Sequence, residues 1–220
     1  MRFDAVVERL AALPDPLPPP LDALMPVRLD GADRRPIPTT PTAELPGRPA
    51  AVLVLLFGDR EGETRVVLIE RPTHDGRHHS GEVSFPGGKA EPDDRDAVAT
   101  ALREAAEEVG LDVRSSGVRV IGLLDGLWIP VSDFAVTPVL AVADRRPVLI
   151  ASPDEVVRII EPLVDAFLPD ASIATVERTV RGWSLRYGQY EVEGLPVWGA
   201  TARILSQLGA LLEGVGSATV

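Results

Sequence analysis

Across residues 85–111 the chain reads Phe85-Pro-Gly-Gly-Lys-Ala-Glu-Pro-Asp-Asp-Arg-Asp-Ala-Val-Ala-Thr-Ala-Leu-Arg-Glu-Ala-Ala-Glu-Glu-Val-Gly-Leu111. Apolar residues recur in its second half at helical spacing and predict a helix from about Asp94 to Val109, capped by Gly110. The face expected to meet the core gathers four apolar residues within about 60° on a helical wheel: Val98, Leu102, Ala105 and Val109.

Three carboxylates, Glu104, Glu107 and Glu108, lie together on the other side of this helix, spread over about 100°. Like charges at i, i+3 and i+4 repel each other, and a bridging cation would remove that repulsion. Hard oxygen ligands at this spacing suit Mg²⁺ or Mn²⁺. Most Glu-rich helix faces are only solvated surface, so the prediction of a metal site needs further support.

The neighbouring residues supply that support. Arg103 precedes the cluster, where its guanidinium could orient a carboxylate through two hydrogen bonds and lower its pKa. Gly87 and Gly88 have no side chains, so their backbone can approach a metal or a phosphate closely. The combination predicts a site that holds a phosphoanhydride on a metal ion and activates a water molecule.

This stretch resembles the Nudix box. Arg103, Glu104, Glu107, Glu108 and Gly110 match the second half of the box, whereas Asp94 stands where the box usually has Glu and lies one residue farther from Arg103. The segment before the box resembles the signature of coenzyme A pyrophosphatases at these positions: Arg71, Arg77, Gly81 and Phe85-Pro86-Gly87-Gly88. Pro72 departs from that signature, and the loop between its two arginines is one residue longer.

The resemblance implies a role for each matching residue. Glu104 and Glu108 would be the main metal ligands, Glu107 a further ligand or the general base, and Arg103 the residue that positions a glutamate. The carbonyl of Gly87 or Gly88 would complete the metal coordination. The substrate phosphates would be contacted by Arg71, Arg77 and Lys89.

The resemblance also implies the reaction, which is Mg²⁺- or Mn²⁺-dependent hydrolysis of coenzyme A or a derivative. The products would be 4′-phosphopantetheine, or its acyl form, and adenosine 3′,5′-bisphosphate. The nearest alternative is the same chemistry on another nucleoside diphosphate derivative, such as ADP-ribose or a dinucleoside polyphosphate. A Nudix-like domain that binds a nucleotide without turnover is a third possibility, although all three box carboxylates are intact.

The fold that the resemblance implies is the Nudix α/β/α sandwich, a mixed sheet between helices, over residues 50–215. The residue pattern agrees with an α/β class, since β-branched apolar runs alternate with amphipathic helices. Strands are predicted at Ala50–Phe57, Thr64–Glu70, Val118–Leu124, Phe134–Val142 and Ser184–Val192. A short strand or helix is predicted at Glu155–Ile160, and a closing helix at Val197–Leu212. Trp198 is expected in the core and an interface, with a substrate contact as the less favoured alternative.

Residues 1–49 form a Pro-rich N-terminal arm that carries 11 of the 21 prolines. A short amphipathic helix is predicted at Phe3–Leu13. The rest of the arm cannot form a continuous helix or a central strand, because proline lacks a donor and fixes φ. It is expected to wrap the domain as a stiff segment, with Pro16–Leu21 as an alternative polyproline ligand for a partner.

Composition excludes several classes of function. The chain has 220 residues, of which 45% are hydrophobic and 25% charged, and its formal net charge is −11. Such an acidic chain is not expected to bind nucleic acid through a diffuse basic surface. The absence of cysteine excludes disulfides and thiol nucleophiles. The longest apolar run is too short to span a membrane, and the N-terminus lacks a signal pattern, so a cytoplasmic location is expected, with a homodimer possible.

Several other polar residues allow more than one interpretation. His74, His78 and His79 crowd one loop, but without a spaced fourth ligand a zinc site is not favoured over substrate contacts or simple exposure. Asp125, Asp133 or Glu155 could each supply a general base from outside the box, although each is more often a turn or cap residue.

Overall fold

The computed structural model describes residues 1–29, 40–42, 46–73, 81–180 and 182–214. Its helices are α1 (Phe3–Leu10), α2 (Ala97–Val109), α3 (Val113–Ser116) and α4 (Gly199–Leu212), with short 3₁₀ turns at Asp22–Leu24 and Val164–Phe167. Its strands, in chain order, are β1 (Val27–Arg28), β2 (Arg48–Gly58), β3 (Thr64–Val66), β4 (Leu68–Glu70), β5 (Val83–Ser84), β6 (Gly87–Lys89), β7 (Val118–Leu123), β8 (Leu127–Ile129), β9 (Phe134–Ala143), β10 (Arg158–Ile160), β11 (Ala174–Val180), β12 (Trp183–Val192) and β13 (Leu195–Trp198).

A six-stranded mixed sheet forms the centre of the fold. Its order is β3-β2-β9-β7, with β6 added to β2 and β8 added to β9. The pair β2–β9 is parallel, and the other pairs are antiparallel. Two smaller antiparallel sheets, β1-β12-β11 with β13 and β10-β4-β5, lie beside it.

Helices cover both faces of this sheet because β2 is apolar on both sides, as expected of a strand in the middle of a layered fold. Val54 and Leu56 pack in one core cluster with Leu10 of α1 and Leu205 of α4. The alternate residues of β2 pack in a second cluster with Ala101 and Ala105 of α2. The predicted α/β/α sandwich is therefore observed.

Helix α2 begins and ends for reasons visible in the sequence. The side chain of Asp96 accepts a hydrogen bond from the amide of Ala99 (2.8 Å), which caps the first turn, so the helix starts after Asp94. Gly110 adopts the left-handed conformation (φ 64°) and closes the C-terminal end as predicted. The cap costs little because glycine has no Cβ to clash there.

The buried face of α2 differs from the predicted one. Ala101, Ala105 and Val109 are fully buried, whereas Val98 and Leu102 are only partly buried. Small alanines let the helix approach β2 closely, and this rotates the buried face by roughly 50° from the predicted position. The rotation carries Glu108 into the interior, where it is only 3% exposed.

Several boundaries also differ. Helix α1 ends at Leu10 instead of Leu13, because the residue before Pro14 is disfavoured in the helical region. The run Thr64–Glu70 forms two strands that join different sheets, and Arg158–Ile160 is a strand. Six strands were not predicted: β1, β5, β6, β8, β11 and β13. Trp198 ends β13 and precedes α4, where it stacks on Tyr187.

The N-terminal arm packs along α4. The side chain of Gln207 donates to the carbonyl of Pro18 (2.9 Å), and the amide of Leu21 donates to Ser206 Oγ (3.2 Å). Leu24 is fully buried in the core cluster on this side. The central sheet already begins at Arg48, within the span assigned to the arm.

Candidate active site

The three carboxylates of α2 lie in three different environments. Glu108 is buried, the side chain of Glu104 is 17% exposed, and that of Glu107 is 55% exposed. The helical period places all three on one side of α2, but the sheet covers only part of that side. The three carboxylates predicted as one cluster therefore range in exposure from buried Glu108 to exposed Glu107.

Glu108 is fixed by two donors from the segment before the box. Its Oε1 accepts from Arg71 Nη2 (3.0 Å), and its Oε2 accepts from the backbone amide of Gly87 (2.8 Å). Burial raises the pKa of Glu108 to about 7, against the opposing effects of the Arg71 charge and the Gly87 amide. The charges of Glu104 and Glu155 raise this pKa further.

Arg103 ties α2 to the loop that precedes it. Its guanidinium donates to both carboxylate oxygens of Asp94, at 3.1 and 2.9 Å, and to the carbonyl of Lys89 (3.0 Å). The hydrogen bonds from Arg103 hold the pKa of Asp94 well below its usual range. Arg103 also donates to Glu104 (3.0 Å) and Glu107 (3.2 Å). The resemblance implied that Arg103 positions a glutamate; the structure shows its contacts with Glu104 and Glu107, and its role stays a prediction.

The carboxylate of Glu104 lies directly over Gly88. A Cβ added to Gly88 would stand 2.5 Å from Glu104 Oε2, so no larger residue fits while Glu104 keeps this position. Burial raises the pKa of Glu104, and the charges of Glu107 and Glu155 raise it further against the opposing effect of Arg103. The glycine pair thus brings the β6 backbone against the acidic face of α2, as the sequence suggested.

The donor set fits a hard divalent cation, although it is not assembled in advance. Carboxylates with raised pKa values next to a bare glycine backbone would gain from a nearby positive charge. Among the described residues, however, no three acidic or histidine side chains already converge as a metal-binding cluster. A cation would have to draw Glu104 and Glu107 away from Arg103.

The predicted phosphate contacts lie in different places. Arg71 points inward, where it donates to Glu108, Gly87 and Ser84 (3.1 Å to Oγ). Lys89 is exposed at the end of β6 and remains a candidate for contacting a phosphate. Arg77 and the three histidines lie outside the described residues, so their predicted roles remain predictions.

Of the three outside carboxylates considered as a base, Glu155 is the one whose charge acts on the site. It raises the pKa of both Glu104 and Glu108, and its loop is tied to α2 by a bond from the Ser152 amide to the Glu108 carbonyl (2.8 Å). Asp125 accepts from Gln207 Nε2 (2.7 Å), and Asp133 accepts from Trp128 Nε1 (3.0 Å). Those two bonds serve the packing of the fold.

Sequence reasoning missed two hydroxyl contacts in this network. Ser84 accepts from Arg71, and Thr100 donates to Asp94 (2.9 Å). Neither residue carries a signal of its own, because serine and threonine are common in turns and first helical turns. Only the folded arrangement shows that each orients a charged partner.

Replacing Arg71 with alanine is expected to move the acidic limb of the pH–activity profile to higher pH. The Arg71 charge opposes protonation of Glu108, whose pKa is already about 7, so its loss leaves more Glu108 protonated near neutrality. Activity at pH 7 should fall about 10-fold or more and recover partly at pH 9. The measurement is kcat/KM against pH.

The matched control is Arg158→Ala, which removes an exposed arginine bonded to Glu70, the residue before Arg71. An Arg71→Ala profile with the same midpoint and a uniformly raised KM would instead show that Arg71 contacts substrate.

Buried and half-buried carboxylates, an arginine bonded to them and a glycine-containing strand thus lie together, and this combination suits the binding of a divalent cation and a phosphoanhydride. Residues 47–163 match the NUDIX domain family. The chain belongs to this family, and its membership confirms the predicted class, a hydrolase that acts on pyrophosphate bonds.

Curated relatives support the same assignment. Nudix hydrolase 15, mitochondrial, of Arabidopsis thaliana is 38% identical over 71% of this chain and 55% of its own length. The proteins named "Uncharacterized Nudix hydrolase NudL" are 38% identical in Pectobacterium atrosepticum, over 73% of this chain and 81% of theirs, and in Escherichia coli, over 76% and 84%. The match thus spans about half of the plant relative and most of the bacterial ones.

Among solved structures, a Nudix hydrolase from M. smegmatis, RenU, aligns with a TM-score of 0.49 and 18% identity, over 79% of this chain and 88% of that one.

In the part of this chain that the structure describes, no helix is both long and apolar enough to cross a membrane.

Proposed function

We propose that the protein hydrolyses the phosphoanhydride of coenzyme A or its derivatives, with Mg²⁺ or Mn²⁺, in the cytoplasm. The observation that carries the proposal is the bond between Arg71 and Glu108. It joins the segment that resembles the coenzyme A pyrophosphatase signature to a carboxylate of the Nudix box. The bond from Gly87 to Glu108 adds a second link between the two motifs.

In this proposal Glu104, Glu107 and Glu108 hold the cation, with the carbonyl of Gly88. A bound divalent cation would neutralise charge on the leaving phosphate and activate a water molecule. Arg103 keeps the acidic face of α2 against the loop before it, and Lys89 meets a substrate phosphate from the end of β6. The general base is Glu107, Glu108 or Glu155.

Product analysis by chromatography tests this function. We expect release of adenosine 3′,5′-bisphosphate from coenzyme A and acetyl-coenzyme A in the presence of Mg²⁺ or Mn²⁺, and none with EDTA. ADP-ribose, NADH and diadenosine tetraphosphate complete the panel as alternative substrates.

Cleavage of ADP-ribose or a dinucleotide in place of coenzyme A would retain the Nudix chemistry and reject the proposed substrate. An absence of turnover across the panel would favour a module that binds a nucleotide without hydrolysing it.

A further inference from the structure

All three tryptophans of the chain line one pocket on the opposite side of the central sheet from α2. Trp128 is the middle residue of β8, Trp183 is the first residue of β12, and Trp198 is the last residue of β13. Residues far apart in sequence therefore converge in this pocket. The rest of the described lining is apolar or aromatic apart from one side chain, Arg203 of α4. In a chain with a net charge of −11, a pocket whose described lining holds a single cation and no acidic residue is a local reversal of charge.

Arg203 lines this pocket, and no acidic side chain among the described lining residues faces it. Its Nε is fully buried, and within the described parts of the chain it has no hydrogen-bond partner. Burial lowers the pKa of the guanidinium, since the charged form has lost water without gaining a counter-charge. Arg203 is partly buried, and the described residues offer its guanidinium no counter-charge, so an anionic group of a ligand would compensate the lost hydration.

The aromatic side chains offer flat surfaces beside this cation. Trp198 and Tyr187 stack on each other, with ring centroids 4.9 Å apart and planes inclined by 25°. All three indoles are only partly buried and so are accessible from the pocket. Arg28 lies 4.6 Å from the centre of the Trp183 ring and adds positive charge at this wall. Stacking surfaces next to a guanidinium favour a ligand with an aromatic ring and an anionic group.

The pocket and the acidic face of α2 lie at the same end of the central sheet. Leu127 of β8 pairs with Val136, Val136 with Ala50, and Ala50 with Lys89, the residue after Gly88. Three strand spacings separate the first residue from the last, which is about 14 Å. A second link joins α4 to the segment before the box, since Thr201 Oγ1 donates to the carbonyl of Val83 (3.0 Å).

We propose that this pocket binds the adenosine 3′-phosphate end of the substrate, with the purine on the aromatic faces and the 3′-phosphate on Arg203. The assignment rests on the proposed coenzyme A activity, because ADP-ribose lacks a 3′-phosphate. Guanidinium binds a phosphate monoester through paired hydrogen bonds, so Arg203 would select for substrates that carry this group. Arg203 would thus be a specificity-determining residue outside the Nudix box.

The test measures binding without catalysis. Adenosine 3′,5′-bisphosphate is titrated into the protein in EDTA, and the intrinsic tryptophan fluorescence reports occupancy because every tryptophan lies in the pocket. We expect a saturable change, with adenosine 5′-monophosphate at least about 10-fold weaker. Arg203→Met should lower the affinity for the bisphosphate to that for the monophosphate, and it should leave the affinity for the monophosphate unchanged. The control Arg186→Met, which removes an exposed arginine paired with Glu177, should change neither.

A stability measurement on Arg203→Met and two further variants, Ala200→Glu and Trp198→Leu, distinguish a binding role of the pocket from a structural one. Arg203→Met should keep or raise the melting temperature, since it removes a partly desolvated charge and keeps most of the side-chain volume, whereas loss of a purely structural arginine would lower it. Ala200→Glu places a carboxylate three residues before Arg203 on α4 and should compete with the ligand phosphate while keeping the fold. Trp198→Leu should weaken both nucleotides.

The outcomes separate this inference from the proposed activity. Arg203-dependent binding of the bisphosphate without hydrolysis of coenzyme A would reject the activity and retain the pocket. Hydrolysis of coenzyme A with an unchanged KM in Arg203→Met would overturn the pocket assignment. A fluorescence change that follows protein concentration and not ligand would assign the tryptophans to contact between two copies, which also overturns it.

Discussion

Replacing Glu108 with glutamine is expected to lower the rate of coenzyme A hydrolysis by about 100-fold or more, while the fold is kept. Glutamine has nearly the same volume, so packing is preserved. Its single carbonyl oxygen can still accept from the Gly87 amide, while its NH₂ group then faces Arg71 and that bond is lost. The substitution removes a full negative charge from the proposed cation site. Steady-state rates with Mg²⁺ and with Mn²⁺ measure the effect.

The same substitution should make the metal-free protein more stable at alkaline pH. The pKa of Glu108 is about 7 in the folded protein, above that of a glutamate in an unfolded chain. Its protonated form therefore favours folding below pH about 4, and this contribution is lost as the pH rises through about 7. Glutamine stays neutral at every pH. At pH 8 the free energy of unfolding of the variant should therefore be about 1–3 kcal/mol higher than that of the wild type.

Urea unfolding in EDTA at pH 5 and pH 8 checks this expectation. The difference between variant and wild type should be small at pH 5 and large at pH 8. Glu191→Gln, an exposed glutamate on β12, is the control and should change neither rate nor stability. Near-full activity of Glu108→Gln with unchanged metal dependence would show that the cation is held elsewhere.

Replacing Gly88 with alanine is the second substitution with a large expected effect, and it should harm activity far more than stability. The new Cβ would meet the Glu104 carboxylate at 2.5 Å, and that carboxylate is the free end of a flexible side chain. Glu104 can swing away, so the free energy of unfolding should fall by only about 1 kcal/mol. Because the displaced carboxylate is a proposed cation ligand, turnover should fall by about 100-fold.

Gly87→Ala provides the contrast. Its Cβ would stand 2.6 Å from the Cα of Val52 in β2, so the central sheet itself must move. This variant should lose several kcal/mol of stability together with activity. Urea unfolding and rate measurements on both variants show whether each glycine is needed for stability or for activity. Equal loss of stability in the two would show that Gly88 serves packing alone.

The positions of the box residues along the chain were predictable because a helix has a fixed period. The spacing of Glu104, Glu107 and Glu108 needs no tertiary contact to place them on one side of α2. The left-handed cap at Gly110 likewise depends on a local backbone preference. These are the features that the structure confirms with little change.

The pairing of short strands was not predictable, since it depends on distant partners. The run from Thr64 to Glu70 has one continuous β-branched pattern, yet it divides at Val67, whose amide donates to Leu55. β3 stays with β2, whereas β4 pairs with β10 and β5. Strand β13 contains Pro196, which argues against a central strand, but β13 lies at an edge and takes its register from β12.

The sequence by itself determined the family, the box and the order of its charged residues, because motif spacing and helical period are local properties. Only the tertiary structure decided which carboxylate is buried, that Arg71 turns inward to Glu108, and that three tryptophans meet around Arg203. Burial and long-range contact arise when separate segments pack, and neither is encoded at any one position of the chain.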